Sequence, residues 1–381
     1  MNTTPTILIA VDKFKGTLTG AELSEAIAAG MRQTLGENFT PRICPIADGG
    51  DGTVDAALAA GFEEQVVSVE DSFGQSVDAR YAYDPASQTA VIEVAQACGI
   101  WRIPAEQLDT WRASSTGVGQ LITHALDLGA QHIVLGLGGS ATTDGGAGML
   151  TALGARLLDA AGSPIAPGGG ALSGVMNVDL SGLDPRVERV DLTVACDVDN
   201  PLCGPEGAAA VFGPQKGASP EQVPLLDDAL KHYSNLLELA LDVSRGTFAD
   251  QPGAGAAGGL GFAALALGAH MRPGVDICFE LTDFHRALDG AQVMITGEGK
   301  LDEQTLHGKG PAGVARAAQS VGAQVVVVCG VNELSEQRLT EAGITAAYSV
   351  LGLGVSLQES LANPRPYVEE LGAKIAADVL A

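Results

Sequence analysis

Both ends of the chain alternate short apolar runs with amphipathic stretches. The first apolar runs, at 6–11 and 42–46, have the length of buried strands, and the stretch 19–35 between them has helical periodicity with Thr19 as a candidate N-cap. A glycine-rich turn and a helical stretch to Ala60 follow. The alternation returns near residue 290, with apolar runs at 292–296, 324–329 and 346–350 and a helical stretch at 368–380. Strands that alternate with helices predict a parallel sheet.

The middle of the chain follows a different pattern. Three apolar runs are separated by turn signals in the manner of antiparallel strands, at 65–69, 77–83 and 90–94. Helical stretches at 117–128 and 221–243 and strand-like runs at 132–137 and 190–195 come later. We therefore predict an α/β fold with two domains. Residues 1–65 and 286–381 would form a discontinuous, doubly wound, Rossmann-like domain with a parallel sheet, interrupted by an inserted mixed α/β domain at 66–285.

The chain is strongly acidic. Its 381 residues contain 46 Asp and Glu against 21 Lys and Arg, a formal net charge of −25, and only 4% of them are aromatic. This balance argues against nucleic acid and against an anionic membrane surface as partners, because both attract basic patches. No run of 18 apolar residues is present, and the six cysteines form no CxxC pair. We expect a cytoplasmic protein with free thiols.

The few lysines are unevenly distributed. Of seven in the chain, five lie in glycine-containing segments that the pattern predicts as loops, at positions 13, 15, 216, 300 and 309. Backbone amides exposed by glycines bind anions, and an ammonium group adds a point charge beside them. These segments therefore predict a site for a small anion. The alternative is that lysines simply favour polar loops.

Carboxylates follow several of the predicted strands and stand beside glycines. They are Asp12, Asp48, Asp51, Asp197, Asp199, Glu298 and Asp302. In open α/β sheets, ligands bind outside the carboxyl ends of the strands. Acids and lysines gathered there suit magnesium-assisted phosphoryl transfer, in which acids hold the metal or accept a hydroxyl proton and lysines neutralise phosphate oxygens. The alternative for any one of these acids is the capping of a turn.

A glycine-rich segment follows the predicted strand at 132–137. Gly136-x-Gly138-x-x-Ala141 fits the loose dinucleotide fingerprint, with Asp159 at about the spacing of a ribose contact. The same segment carries hydroxyl groups at Ser140, Thr142 and Thr143, which a pyrophosphate turn does not need. A cradle for phosphates is the better interpretation. No Walker A sequence is present.

These segments together resemble the type I glycerate kinases, and they follow the family's order over nearly the whole chain. The matching segments are 12–18, 47–53, 115–117, 136–149, 195–204, 212–218, 252–261, 296–302 and 304–309. One departure is Lys13, where the family more often has a small serine.

The resemblance implies ATP-dependent phosphorylation of D-glycerate with Mg²⁺, giving 2-phosphoglycerate. It also implies a two-domain α/β architecture with the active site in the cleft between the domains. The residues alone indicate a small anionic substrate, nucleotide phosphates and a metal. They do not identify glycerate, and they do not choose between its two hydroxyl groups.

The resemblance also implies roles for individual residues of these segments. Lys15 and Asp48 are expected to hold the glycerate carboxylate and hydroxyls, and Asp197 to act as the base that orients the attacking hydroxyl. Further substrate contacts are expected at Asp51, Ser115, Thr116 and His307. The ATP phosphates are expected at Gly138, Gly139, Ser140, Asp144, Gly255, Gly258 and Gly259. Lys216 and Lys300 would neutralise the transferred group, and Glu298 and Asp302 would bind the metal.

Two other functions stay open. An NAD(P)-dependent oxidoreductase acting on a small hydroxy acid would use the fingerprint at 136–141. A solute-binding protein would also have two α/β domains. The segment 114–117 could serve only as a helix N-cap, and His307 only as part of a loop. The sequence permits a homo-oligomer without indicating one.

Overall fold

The computed structural model describes residues 4–14, 16–47, 49–306 and 310–380. The strands are β1 (Thr6–Val11), β2 (Thr40–Ile43), β3 (Glu63–Glu70), β4 (Ser76–Asp84), β5 (Thr89–Glu93), β6 (His132–Gly136), β7 (Arg156–Leu158), β8 (Asn177–Asp179), β9 (Asp191–Ala195), β10 (His270–Arg272), β11 (Val293–Leu301), β12 (Gln324–Asn332) and β13 (Ala346–Ser349). Across the part of the chain described, the helices are too short or too polar to span a bilayer.

The helices are mostly short. They are α1 (Gly20–Leu35), α2 (Thr53–Ala59), α3 (Ala95–Cys98), α4 (Thr116–Asp127), α5 (Ala147–Ala152), α6 (Ala208–Phe212), α7 (Gln222–Ala240), α8 (Ala256–Ala266), α9 (Gly274–Leu281), α10 (Phe284–Leu288), α11 (Glu303–Leu306), α12 (Gly310–Ser320), α13 (Glu336–Glu341), α14 (Leu357–Ala362) and α15 (Arg365–Leu380).

The chain divides into two units, both of α/β type. The first takes in residues 1–48, 55–61 and 275–381, and the second takes in 49–54 and 62–274. The predicted fold class, with one discontinuous α/β unit and a second mixed one, is confirmed. The short segment 49–54 belongs with the second unit, although the chain on both sides of it belongs to the first.

The first unit contains a five-stranded sheet that is parallel throughout. Its strand order is β13-β12-β11-β1-β2, which is a doubly wound order with β1 at the point where the direction of winding reverses. Alternate residues of β1 enter two different apolar clusters, because successive side chains of a strand point to opposite faces. Ile7 and Ile9 pack in the cluster formed with α1 and α15, whereas Leu8 packs with α10 and α12.

Helix α1 begins where the sequence predicts. Thr19 is its N-cap, with a capping box in which the Thr19 hydroxyl accepts from the Glu22 amide and the Glu22 carboxylate accepts from the Thr19 amide. The helix packs closely on α15 through glycines. A Cβ atom on Gly30 would lie 1.8 Å from the Glu369 carbonyl oxygen, and one on Gly372 would lie 2.4 Å from the Ile27 carbonyl oxygen.

The prediction of a loop at 297–300 in the first unit is wrong. Lys300 was expected in a glycine loop after a strand ending at 296, but β11 continues to Leu301 and pairs with β12, Lys300 opposite Val331. The glycines serve close strand packing, since a Cβ atom on Gly297 would lie 2.2 Å from the Val328 carbonyl oxygen. Strand β2 likewise ends at Ile43 instead of 46, although the Cys44 and Ile46 amides still donate to β1.

The second unit contains a six-stranded mixed sheet in the order β10-β9-β6-β5-β4-β3. Strands β3, β4 and β5 are antiparallel neighbours as predicted, and β5, β6, β9 and β10 run parallel. The sequence did not predict β10 or the small antiparallel pair β7–β8. Three residues are too few to give a recognisable period, so their pairing depends on tertiary contacts.

Gly30→Ala tests the close packing of α1 on α15. Alanine is the better helix former by about 1 kcal/mol, so an unhindered site would gain stability. Because the new methyl group meets the Glu369 backbone, we expect a net loss of about 1–3 kcal/mol in the free energy of unfolding, measured by urea denaturation. Glu25→Ala, at an exposed position of the same helix, is the control. Equal or higher stability of Gly30→Ala would contradict the packing.

Candidate functional site

The first candidate region is the carboxyl edge of the parallel sheet in the first unit. Ligands bind in open α/β sheets where the strand order reverses, which here is between β1 and β11. Asp12 follows β1 directly, and its amide donates to the Gly297 carbonyl at 2.9 Å. The segment that begins at Asp12 therefore lies beside the stretch of β11 that contains Glu298.

The charged groups along β11 are already engaged with one another. The Lys300 ammonium lies 2.9 Å from the Glu333 carboxylate and 3.4 Å from the Asp302 carboxylate, and about half of its side chain is exposed. Hydrogen bonding to Glu333 raises the pKa of Lys300 above its ordinary value. The Asp302 carboxylate also accepts from the Thr305 amide at 3.4 Å, in the turn that starts α11.

Three of the predicted site residues lie outside the described part of the chain. They are Lys15, Asp48 and His307. Their roles stay predictions from the sequence.

The second candidate region is the carboxyl edge of β5, β6 and β9 in the second unit. Segment 49–52 crosses this edge in direct contact with the backbone that follows β6. A Cβ atom on Gly138 would lie 2.5 Å from the Gly50 Cα, and one on Gly136 would lie 2.6 Å from the Gly49 carbonyl oxygen. Asp51, in the middle of this segment, is exposed.

Glu93 holds segment 49–54 to the sheet. It is the last residue of β5 and is only 2% exposed. One of its carboxylate oxygens, Oε1, accepts from the Gly52 amide at 2.9 Å and from the Val54 amide at 2.8 Å. Glu93 was not among the predicted site residues, because those acids follow predicted strands and stand beside glycines, whereas Glu93 lies within the predicted strand 90–94.

The loop between β6 and α5 is organised around a buried carboxylate. Asp144 accepts from the Ser115 amide and hydroxyl, both at 2.8 Å, and from the Gly146 and Gly148 amides at 3.1 and 3.2 Å. Burial raises the pKa of Asp144, and these four donors act in the opposite direction. The Ser115 hydroxyl also accepts from the Met149 amide at 3.0 Å. Asp144 and Ser115 thus fix the loop to the start of α4.

Lys216 lies buried beneath the same loop. Its ammonium donates to the Ser140 hydroxyl at 3.0 Å and to the Thr142 carbonyl at 2.7 Å, and the residue is 3% exposed. Burial lowers the pKa of Lys216 to about 8, against the opposing influence of Asp144. Lys216 therefore bonds to two residues of the glycine-rich loop after β6. Its proposed contact with a phosphate stays a prediction.

A left-handed turn within the first residues of α8 packs against the loop. Three successive residues, Ala257, Gly258 and Gly259, have positive φ angles of 52°, 70° and 94°. For Gly258 no side chain is sterically tolerable, because its Cβ atom would lie 1.9 Å from the Thr142 carbonyl oxygen. Positive φ costs an alanine about 1–2 kcal/mol, and such strain is concentrated at functional sites.

Asp197 stands just beyond the end of β9. It is exposed, and its carboxylate accepts from the Gly274 amide at 3.0 Å. The segment that follows it contacts the glycine-rich turn, since the Gly255 amide donates to the Asn200 carbonyl at 2.9 Å. Asp197 is therefore anchored on the same sheet edge that carries Glu93 and the loop after β6.

Most of the predicted residues thus come together within the second unit, on segments that each contact another. They are Asp51, Ser115, Thr116, Gly138, Gly139, Ser140, Asp144, Asp197, Lys216, Gly255, Gly258 and Gly259. The remaining described residues of the prediction, Glu298, Lys300 and Asp302, belong to the first unit.

The dinucleotide interpretation finds no support in the topology. A ribose-binding acid normally ends a strand that lies beside the fingerprint strand. The neighbours of β6 are β5 and β9, whereas Asp159 follows β7 in a separate two-stranded sheet. Its carboxylate accepts from the Ala161 and Ser163 amides, as in a tight turn.

The two proposed metal ligands are four residues apart. Glu298 lies on β11 and Asp302 follows the last residue of that strand, so their Cα atoms can be at most about 13 Å apart. In the described ranges, His, Cys, Asp and Glu form no group of three or more suited to a metal ion. Mg²⁺ that arrives with a nucleotide needs only one or two protein carboxylates, because water and phosphate oxygens complete its shell. Glu298 or Asp302 could therefore supply the single carboxylate that such an ion needs.

Comparisons with known proteins agree along the whole chain. A family model described as "Glycerate kinase family" matches residues 7–380. A glycerate kinase of Bacillus subtilis (strain 168) is 44% identical over 378 residues, covering 98% of this chain and 97% of that protein. The glycerate 2-kinase of Escherichia coli (strain K12) is 41% identical over 373 residues, covering 97% of both.

A solved structure is also similar. The crystal structure of a provisionally named glycerate kinase 2 from Salmonella typhimurium LT2 has a TM-score of 0.86 and 41% identity, and the match covers 99% of both chains.

Lys216 gives a prediction on pH and stability. The pKa of Lys216 is about 8 in the folded protein, against an ordinary value of 10.5 in the unfolded chain. Between pH 8 and pH 10.5 the unfolded chain therefore keeps the proton and the folded protein loses it. Stability from this group should therefore rise with pH from about 8, by up to about 1.4 kcal/mol per pH unit. We expect the free energy of unfolding of wild type to gain on that of Lys216→Met across this window in urea titrations. The exposed Lys374→Met is the control. A difference that is independent of pH would contradict the lowered pKa.

Proposed function

The chain belongs to the glycerate kinase family, and on that premise we propose that it transfers the γ-phosphoryl group of ATP to the 2-hydroxyl of D-glycerate. The family membership makes the protein a kinase with a small-molecule substrate. The choice of the 2-hydroxyl is supported by the relative named glycerate 2-kinase, which matches over nearly the whole of both chains.

The observation that carries the proposal is the gathering of glycine-rich backbone around buried Lys216. Segments 136–148 and 253–261 meet with no room for side chains between them, and the Lys216 ammonium lies directly beneath the first. Phosphoryl transfer asks a protein mainly for positioning and for positive charge near phosphate oxygens. Backbone amides and a buried ammonium supply both without a Walker A loop.

Within this loop we propose different parts for the polar residues. Ser140 and the glycines at 138, 139, 255, 258 and 259 bind phosphate oxygens. Asp144 and Ser115 hold the loop in shape, because their polar atoms already bond to one another and to backbone amides. Thr116, at the first position of α4, is the hydroxyl of this segment that we propose for substrate contact.

Glycerate would be recognised as a small acid with two hydroxyls. We propose that Lys15 pairs with its carboxylate, that Asp48 and Asp51 accept from its hydroxyls, and that His307 donates a hydrogen bond. Asp197 would orient the attacking 2-hydroxyl and accept its proton, since it is an exposed carboxylate held by the Gly274 amide. Lys300, anchored by Glu333, would offset charge on the transferred group.

Magnesium, when bound with the nucleotide, neutralises phosphate charge and aligns the transferred group. We propose Glu298 as its main protein ligand, because that residue lies on β11 beside the strand-order reversal. Asp302, the second candidate ligand, already contacts Lys300 and would contribute chiefly by orienting that ammonium. All six cysteines are free thiols, which suits the cytoplasmic setting that we propose.

The reaction can be tested directly. The protein is incubated with ATP, Mg²⁺ and D-glycerate, and the product is examined by proton-coupled phosphorus NMR. A phosphate on the 2-oxygen couples to one carbon-bound proton and gives a doublet, whereas a phosphate on the 3-oxygen couples to two and gives a triplet. We expect a doublet that depends on all three additions. A triplet would contradict the regiochemistry, and unchanged ATP would contradict the reaction.

Asp197→Asn tests the proposed base. The amide keeps the size and the hydrogen bond to Gly274 but cannot take up the hydroxyl proton, so kcat should fall roughly 10²-fold or more with little change in the glycerate KM. Asp191→Asn, at the opposite end of the same strand, is the matched control and should keep wild-type kinetics. Near-normal turnover of Asp197→Asn would remove Asp197 from this role.

A further inference from the structure

Glu93 is a buried acid in an apolar setting. It closes a strand whose other members are mostly buried aliphatic residues, and it stands in register with Gly136 of β6. Burying a carboxylate is costly unless hydrogen bonds replace its water. For Glu93, Oε1 alone accepts two backbone amides.

The amides that donate to Glu93 lie at the start of a helix. Helix α2 begins at Thr53, and the first amides of a helix have no carbonyl partner inside the helix. Glu93 accepts from two amides that flank Thr53, while the Thr53 hydroxyl donates to the Gly50 carbonyl at 2.7 Å. Glu93, a side chain of β5, thus serves as the N-cap acceptor of α2 and holds the preceding segment at the edge of the sheet.

The segment that Glu93 holds is rich in glycine. Three of its first four residues are glycines, at 49, 50 and 52, and glycine has the most conformational freedom to lose on folding. Close contact with Gly136 and Gly138 restricts the segment sterically, but it supplies no directional bond of a side chain. The hydrogen bonds that Glu93 accepts from the Gly52 and Val54 amides hold the turn on which Asp51 is exposed.

We propose that Glu93 is a positioning residue for glycerate binding: its carboxylate fixes segment 49–54 so that Asp51 meets the substrate hydroxyls. This inference rests on the proposed function. It assigns a role to a residue that contacts neither substrate nor nucleotide and acts through the backbone of the segment.

Two variants separate positioning from simple stability. Glu93→Ala removes the carboxylate that accepts from both amides, and we expect the glycerate KM to rise about tenfold or more while the ATP KM changes less than about twofold. Glu93→Gln keeps one oxygen that can accept the same amides, so it should restore much of the glycerate KM. Hydrogen exchange of the peptide that covers 49–54 should lose protection in Glu93→Ala and keep most of it in Glu93→Gln.

Glu238 offers a matched control in the same unit. It is fully buried and accepts from the Gly246, Phe248 and Ala249 amides, so its loss should weaken folding in a comparable way. Glu238→Ala should lower stability and expose the peptide 246–249 to exchange, with the glycerate KM of the folded enzyme unchanged. A purely structural Glu93 would behave in the same way.

The outcomes are distinct. A raised glycerate KM in Glu93→Ala, partial rescue in Glu93→Gln and normal kinetics in Glu238→Ala support the proposal. Wild-type kinetics in folded Glu93→Ala, or full protection of 49–54, overturn it. If Glu93→Ala does not fold, Glu93→Gln decides the question. A glycerate KM between two- and tenfold above that of wild type supports the proposal. An unchanged glycerate KM together with unchanged hydrogen exchange of 49–54 overturns it. If wild type does not phosphorylate glycerate, the proposed function fails, and the exchange data still decide the anchoring by Glu93.

Discussion

Backbone meets backbone at the carboxyl edge of the second sheet, with no room for a Cβ atom at the contacts. Gly138 meets Gly50 in this way, and Gly258 meets the Thr142 carbonyl. Any side chain there would push the segments apart, so the geometry of the loops follows from where glycines stand. Contacts of this kind bring main-chain amides close to one another, and such amides suit the binding of phosphate oxygens.

Buried charges complete what the glycines begin. Lys216, Asp144 and Glu93 are each almost fully buried near this edge, in a protein whose net charge is −25. A buried charge is costly unless it is hydrogen-bonded, and each of these three bonds mainly to loop backbone or to a loop hydroxyl. Their common effect is to rigidify loops that glycine alone would leave free. A site that must hold a triphosphate and a small acid in line benefits from such preorganisation.

Residue patterns predicted the secondary structure more accurately than they predicted the contacts of the candidate site. The periodicity predicted β1, α1 and the antiparallel β3–β5 to within two residues at each end, because each has its own apolar pattern or cap. It misplaced Lys300 in a loop, since glycine marks both turns and strands that pack too closely for side chains. The residue pattern did not predict that the Ser115 hydroxyl bonds to Asp144 and to the Met149 amide, and the substrate contact of Ser115 stays a prediction. Which group a buried hydroxyl bonds to depends on residues that are distant in the sequence.

By itself, the sequence determined the class of the fold, the net negative charge, the glycine-rich segments and the family resemblance, because these depend on composition, on local pattern and on the order of motifs. Only the tertiary structure decided which segments touch: that 49–54 joins the second unit, that Lys216 lies under the loop after β6, and that Glu93 holds two amides some forty residues away. The physical reason is that hydrogen bonds and close contacts between distant segments depend on strand order, and strand order leaves no periodic trace in the chain.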